Sequence, residues 1–284
     1  MDELNNVSQN NHKEIQKEEI ENGELKGKRR QRVSIPPPSV YIAIAKKGGG
    51  VNPQVITFHD PKAPIAEQYR ILRTNIQRLT PENPPRVIAI TSALHQEGKT
   101  TTAVNLAVTM AQDLNKKILL CDCDLRKPMV HKLMGLDSNR GIADVLLNDI
   151  DIDSVLQSGK VENLTILPCG RKPHNPAELL GSHKMRELLS KLRTRFDYII
   201  IDCPPILAIT DAGVVAVLVD GVIFAVQAWR TQREAVLRSQ SLLLSAHAKI
   251  LGFILTNIEH FGPKYLYQYG YGYQYGNYHY AEDN

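Results

Sequence analysis

The residues of this chain best suited to chemistry stand in one short run, Ser92-Ala93-Leu94-His95-Gln96-Glu97-Gly98-Lys99-Thr100-Thr101. Its end matches the phosphate-loop pattern G-x-x-x-x-G-K-[ST], with Ala93 at the first glycine and Gly98-Lys99-Thr100 in register. Such a loop wraps phosphate oxygens with backbone N–H groups, and a glycine at position 98 lets the backbone come close. Lys99 would bring a positive charge to the β- and γ-phosphates, and Thr100 a hydroxyl to Mg²⁺. The start of a following helix would add partial positive charge. Ala93, Glu97, Gly98, Lys99, Thr100 and Thr101 are therefore the expected nucleotide-binding residues, and Asn257, after the last apolar strand, is the candidate to touch adenine.

Two further apolar runs end in acids. Ile118-Leu119-Leu120 leads to Asp122-Cys123-Asp124-Leu125-Arg126, and Ile199-Ile200-Ile201 leads to Asp202-Cys203-Pro204-Pro205. Strand-end aspartates often do no more than cap the next helix. Three of them accompanying a phosphate loop favour a metal–nucleotide site. Mg²⁺ takes few protein carboxylates and keeps several waters, so Thr100, Asp124 and Asp202 suffice as its expected ligands, partly through water. The spacing leaves Arg126 with two readings, phosphate contact or loop anchor.

The elements that must position these groups follow from hydrophobic periodicity. Apolar strands are expected at Val87–Thr91, Lys117–Asp122, Leu164–Leu167, Tyr198–Asp202, Gly221–Val226 and Ile250–Thr256. Helices are expected at Thr100–Gln112, near Ala177–Leu192 and between the last two strands. Near-continuous apolar strands alternating with helices predict an α/β fold with a mostly parallel central sheet and helices on both faces. Ligands on such sheets bind beyond the carboxyl ends of the strands. Before the sheet, Pro64–Leu79 reads as a helix with Ile65, Leu72, Ile76 and Leu79 on one face and Glu67, Arg70 and Arg73 on the other.

The ends differ from the middle. Residues 1–50 are polar, with Pro36-Pro37-Pro38, Gly48-Gly49-Gly50 and a basic run from Lys26 to Arg32, and read as a disordered extension. Residues 51–262 form the expected globular domain. Residues 263–284 hold Tyr265, Tyr267, Tyr269, Tyr271, Tyr273, Tyr275, Tyr278 and Tyr280, eight of the chain's eleven tyrosines, and read as a second disordered tail. The net charge of +4 is too small to argue for nucleic acid. The start, MDELNN, lacks a secretory signal, and no apolar run is long enough to cross a bilayer, so a cytoplasmic protein is expected. Cys121, Cys123, Cys169 and Cys203 lie in or beside apolar runs and read as small buried side chains.

Taken together, these features resemble the bacterial tyrosine kinases of polysaccharide export systems over most of the chain, from Pro64 onward. Ala93–Thr101 is similar to that family's Walker A motif, Ile118–Arg126 to its D-x-D-x-R Walker A′ motif and Tyr198–Pro205 to its Walker B motif. Asn175-Pro176-Ala177-Glu178-Leu179-Leu180 matches a family signature, and Glu67-x-x-Arg70-x-x-Arg73 its oligomer-interface motif. The resemblance implies a P-loop NTPase-like fold and an ATP- and Mg²⁺-dependent protein-tyrosine kinase that phosphorylates its own tyrosine cluster. In such an enzyme Lys99, Asp122 and Asp124 would be the catalytic set, with Asp122 orienting or deprotonating the tyrosine hydroxyl. It also implies a ring-like homo-oligomer with each tail in a neighbour's site. A separate membrane-anchored activator would hold the protein at the inner face of the membrane, and a cognate tyrosine phosphatase would reverse the reaction.

There are departures. Many members carry glycine where Gln96 stands. Related partition and cell-division ATPases carry a second lysine where Leu94 stands, which disfavours the alternative of a ParA/MinD-like positioning ATPase. A nucleotide-gated adaptor without catalysis is the third reading.

Overall fold

The computed structural model of this protein describes residues 50–258, apart from Leu114. The polar extension through residue 49 and the tyrosine-rich tail both lie outside the described residues. The strands are β1 (Val87–Ser92), β2 (Ile118–Asp122), β3 (Gln157–Ser158), β4 (Leu164–Leu167), β5 (Tyr198–Asp202), β6 (Gly221–Gln227) and β7 (Ile250–Thr256). They form one sheet in the order β3-β4-β2-β5-β1-β6-β7. Every pairing is parallel except that of β3 with β4.

Helices cover both faces, as the unbroken apolar strands require. One face of the sheet packs against α1 (Ile56–His59), α2 (Pro64–Arg78) and α3 (Lys99–Ala111), with Ile88, Ile90, Leu120 and Ile200 pointing to it. The other face holds Val87, Ala89, Leu119, Ile199 and Ile201 beneath α5 (Ile142–Asn148), α6 (Pro176–Leu180), α7 (His183–Arg195) and α8 (Asp211–Ala216). Successive residues of a strand thus feed two separate cores, which is the period-two rule applied twice. The remaining helices are α4 (Val130–Met134) and α9 (Arg233–Ser245). All four cysteines are buried free thiols.

Two expectations are corrected. The segment 177–192 is not one helix. It breaks at Gly181-Ser182, where the Ser182 hydroxyl accepts from the Met185 N–H and caps α7 as a new helix. On α2, Ile65 and Leu79 are exposed; Ala66 and Ile76 are buried, and Tyr69 and Leu72 pack with the same core. The inward stripe is offset from the expected one because α3 approaches from the Arg73 side, where the Arg73 guanidinium donates to the Thr109 carbonyl at 2.9 Å.

One charged group ties the sheet together at its amino edge. Asp220 accepts from the N–H groups of Arg86 and Val87, each at 2.8 Å, and from both terminal nitrogens of Arg193 at 3.1 and 2.8 Å. Burial alone would raise its carboxyl; the Arg193 guanidinium and the two N–H groups outweigh that and hold it below the usual range. A depressed carboxylate stabilises the fold fully above its unfolded pKa, about 3.9, and that contribution is lost as pH falls through the lower folded value. Asp220→Asn should therefore reduce stability at pH 7 and flatten the acid limb of the stability curve. Urea unfolding at several pH values from 3 to 7 measures both; parallel wild-type and variant curves would contradict it.

Candidate active site

All the parallel strands end at the same edge, so Ser92, Asp122, Asp202, Gln227 and Thr256 are brought to one rim by topology alone. Asp122 and Asp202 stand opposite each other in the β2–β5 register, and Asp202 stands opposite Ile90 of β1. The loop from Ala93 to Gly98 leaves β1 at this rim and leads directly into α3, whose first residue is Lys99.

The loop is held from within and from behind. The Ser92 hydroxyl donates to the Leu94 carbonyl, and the Leu94 N–H donates to the Glu97 carboxylate, at 2.7 and 2.8 Å. The Thr231 hydroxyl donates to the other Glu97 oxygen, and the Thr256 hydroxyl donates to the Glu97 carbonyl at 2.8 Å. Gly98 has φ 83°, and a Cβ on it would lie 3.2 Å from the Thr256 methyl, so the position calls for glycine. Ala93 is fully buried. The Glu97 side chain, also buried, is held between the Leu94 N–H and the Thr231 hydroxyl, which leaves only its backbone free to serve a phosphate. Thr101 follows in the first turn of α3, its carbonyl accepting from the Asn105 amide at 2.8 Å.

Gln96 has φ 64°. This left-handed backbone accounts for glycine at the matching position in many members of the family that the sequence resembles, and it shows that the loop keeps its shape without one. A side chain there costs about 1 kcal/mol, partly offset by the extra unfolded freedom of glycine. Gln96→Gly should raise Tm by about 1–3 °C, readable by differential scanning fluorimetry.

Lys99 is the centre of charge. Its Nζ lies 2.8 Å from Asp124 Oδ2 and 3.5 Å from Asp202 Oδ1, and the Thr100 hydroxyl donates to Asp202 Oδ2 at 2.7 Å. Burial alone would lower the ammonium's pKa, but Asp202 and Asp124 outweigh it and hold it above the ordinary lysine range. Asp202 Oδ1 is buried with no hydrogen-bond donor. Burial raises the carboxyls of Asp122 and Asp202, with like charge from neighbouring aspartates adding to it. Asp202 Oδ1, without a hydrogen-bond donor and on the same carboxylate that the Thr100 hydroxyl reaches, is the oxygen here best suited to a divalent cation, while among the described residues no three carboxylates converge on one point. Thr100, Asp202 and Asp124 are the residues that could hold the cation.

Asp122 sits deeper. Its Oδ1 accepts from the Asp124 N–H at 3.2 Å, and its Oδ2 from Met129 and Val130 at 3.1 and 3.0 Å. The segment 126–130 therefore closes over it, and Lys127 adds an N–H to Asp124 Oδ1 at 3.0 Å. The two readings of Arg126 separate here. Its Nε and Nη2 grip both oxygens of fully buried Asp211, at 2.8 and 3.1 Å, so it anchors the loop to α8.

Other expected residues lie apart from this cluster. Asn257 follows β7 with φ 59°, exposed at the same rim. Glu67 and Arg70 pair with each other on α2, and Arg70 also reaches the Pro61 carbonyl. Arg73 bonds Thr109, ten residues along α3 from Lys99, or about 15 Å. The Asn175 amide donates to Glu178 at 2.9 Å in a surface groove with Asp144 and Arg171. The sequence reading missed Thr231, Thr256 and Asp211. Each acts through a contact with a residue more than 80 positions away, and no local pattern marks it.

Residues 85–237 match the AAA domain family. Over 209 residues the chain is 38% identical to the tyrosine-protein kinase YwqD of Bacillus subtilis (strain 168), covering 74% of this chain and 88% of that protein. Among solved structures, the kinase domain of the Escherichia coli tyrosine kinase ETK superposes with a TM-score of 0.69 at 28% identity, covering 75% of this chain and 82% of that one. The septum site-determining protein MinD of Pyrococcus horikoshii OT3, complexed with Mg-ADP, superposes with a TM-score of 0.54 at 26% identity, covering 64% of this chain and 76% of that one.

Proposed function

This chain belongs to the bacterial tyrosine kinases, and from that premise we propose that it transfers the γ-phosphate of ATP to tyrosines of its own C-terminal segment. The supporting observation is the Lys99–Asp124–Asp202–Thr100 cluster at the mouth of the loop. Phosphoryl transfer needs positioning and charge neutralisation more than covalent chemistry. Backbone N–H groups of 93–101, other than that of Leu94 held by Glu97, together with Lys99 bind and orient the triphosphate. Thr100, Asp124 and Asp202 hold Mg²⁺, which neutralises phosphate charge when bound. Asp122 orients the phenol, whose pKa near 10 calls for such help; for this the 126–130 segment must open, because its N–H groups now occupy the Asp122 carboxylate.

In this reading the tail acts between subunits. Glu67, Arg70 and Arg73 lie at the subunit contact of a ring, and each tail enters the next site. Eight phosphates would add roughly −12 to −16 per chain, against a formal +4. The accumulated repulsion opens the ring, and a phosphatase resets it. Among the described residues no helix is long and apolar enough to cross a membrane. A separate membrane-anchored activator recruits the kinase to polysaccharide synthesis or export.

Anti-phosphotyrosine blotting of purified protein with MgATP tests the reading. Phosphotyrosine confined to the tail is the expected result. ATP hydrolysis without phosphotyrosine would instead indicate a MinD-like ATPase, and nucleotide binding without turnover an adaptor. Native mass spectrometry tests the ring: an unphosphorylated form no larger than the phosphorylated one contradicts it.

A further inference from the structure

Among the described residues, β7 is the one long strand that pairs on a single side, with β6. The opposite edge of the sheet is closed by β3, two polar residues long, Gln157–Ser158. A short polar edge discourages pairing with further chain, and β7 has no such protection. It runs Ile250-Leu251-Gly252-Phe253-Ile254-Leu255-Thr256, without a charge, a proline or a fully buried residue, whereas β1, β2 and β5 are buried throughout. Its irregular step against β6 lies between Ile250 and Gly252, and Gly252–Thr256 pair regularly. Within that regular stretch Phe253 is 47% and Leu255 62% exposed. The two share one face of the strand, where the Phe253 ring meets buried Phe224 at 5.7 Å between centroids.

The chain itself supplies what such an edge takes. β7 ends at Thr256, and the tyrosine-rich segment follows within a few residues. Asn257, next along, has a left-handed backbone, φ 59°, of the kind that turns a chain at a strand's end. Gly262-Pro263 is a second turn signal. Beyond it Tyr265, Tyr267, Tyr269, Tyr271, Tyr273 and Tyr275 stand at alternate positions. Period two is the periodicity of a strand, and in extended chain all six fall on one face. Tyrosine is also among the residues that favour strands. An antiparallel pairing that sets Tyr265 opposite Leu255 also sets Tyr267 opposite Phe253, so that rings cover both exposed side chains. The joining loop is then residues 257–263.

Resting on the self-phosphorylation reading above, we propose that residues 264–268 of the unphosphorylated tail add to the sheet as an antiparallel strand along β7 of the same chain. Main-chain hydrogen bonds to the open edge give the affinity, and the tyrosine rings over Phe253 and Leu255 fix the register. Residues 269–284 stay outside this strand and span up to about 55 Å when extended, which leaves the distal tyrosines able to leave their own subunit. A phosphate brings about −1.5 to −2 charge, which an apolar face disfavours, so modification of Tyr265 or Tyr267 releases the strand. The β7 edge thereby orders the reaction: distal tyrosines are modified first, Tyr265 and Tyr267 last.

Hydrogen–deuterium exchange of the full-length protein, stripped of phosphate by a tyrosine phosphatase, reads the docked strand. Amides of 264–268 should exchange about tenfold more slowly than those of 276–284. Leu255→Glu puts a charge at an exposed edge position, and should abolish that protection while leaving β1 and β5 as protected as before. Time-resolved mass spectrometry with MgATP reads the order. Phosphate on Tyr278 and Tyr280 should form about tenfold faster than on Tyr265 and Tyr267 in the wild type, and at a similar rate in Leu255→Glu. Unprotected 264–268 in the wild type, or protection that survives Leu255→Glu, overturns the docking and leaves the kinase reading intact. Protection that appears only as protein concentration rises assigns the edge to the tail of a second copy and also overturns it. Tyr265 and Tyr267 modified as early as Tyr280 in the wild type overturns the ordering. Protection with no phosphotyrosine anywhere keeps the docking and removes the kinase reading.

Discussion

Lys99→Met is expected to lower phosphotyrosine formation by roughly a thousandfold, to the limit of detection, while the protein stays folded. Among the described residues, Lys99 carries the only ammonium paired with Asp124 and Asp202, and methionine keeps its length and packing without its charge. The variant leaves buried carboxylates without a counter-charge; they can take up protons, so the fold survives where the phosphate grip does not. Circular dichroism and gel filtration report the fold, and blotting with MgATP reports the chemistry. Phosphotyrosine persisting in this variant would place the reaction somewhere else.

The second large effect concerns a residue whose side chain is turned away from the phosphates. Glu97 is 1% exposed, and its carboxylate links the Leu94 N–H within the loop to the Thr231 hydroxyl behind it. Glu97→Ala removes two charge-assisted hydrogen bonds and leaves the Leu94 donor unpaired. The cost is about 3 kcal/mol, or about 6–12 °C in Tm. KM for ATP should rise with it, because the loop loses the tie that sets its curve. Thr231→Val, which removes one of the two bonds, should give a smaller shift in the same direction. Thermal melts with and without MgATP, together with an ATP titration, measure both. A Glu97→Ala protein with wild-type Tm would mean that the loop is shaped by Thr256 and Gly98 alone.

The division of labour between sequence and fold is plain in these residues. The six parallel strands, the helix after the loop and the glycine–lysine–threonine run were all readable in the chain. Burial on both faces demands continuous apolar runs, and phosphate binding demands a fixed local spacing. Both constraints are local in sequence. The aspartates at the ends of β2 and β5 were readable for the same reason: a parallel sheet sends all its strand ends to one rim.

What only the tertiary structure decided involves partners far apart in the chain. Arg126 became an anchor because α8 brings buried Asp211 under it, and Glu97 became a brace because the turn after β6 brings Thr231 behind the loop. The offset stripe on α2 depends on the approach of α3, and the break before α7 on a cap that outcompeted a continuous helical pattern. Asp122 could be named as an acid at a strand end, but its closure by the N–H groups of Met129 and Val130 could not. Periodicity and motif spacing encode which groups reach the rim. The hydrogen bonds that orient them there form between segments whose separation in sequence carries no periodic signal, so they exist only once the sheet has assembled.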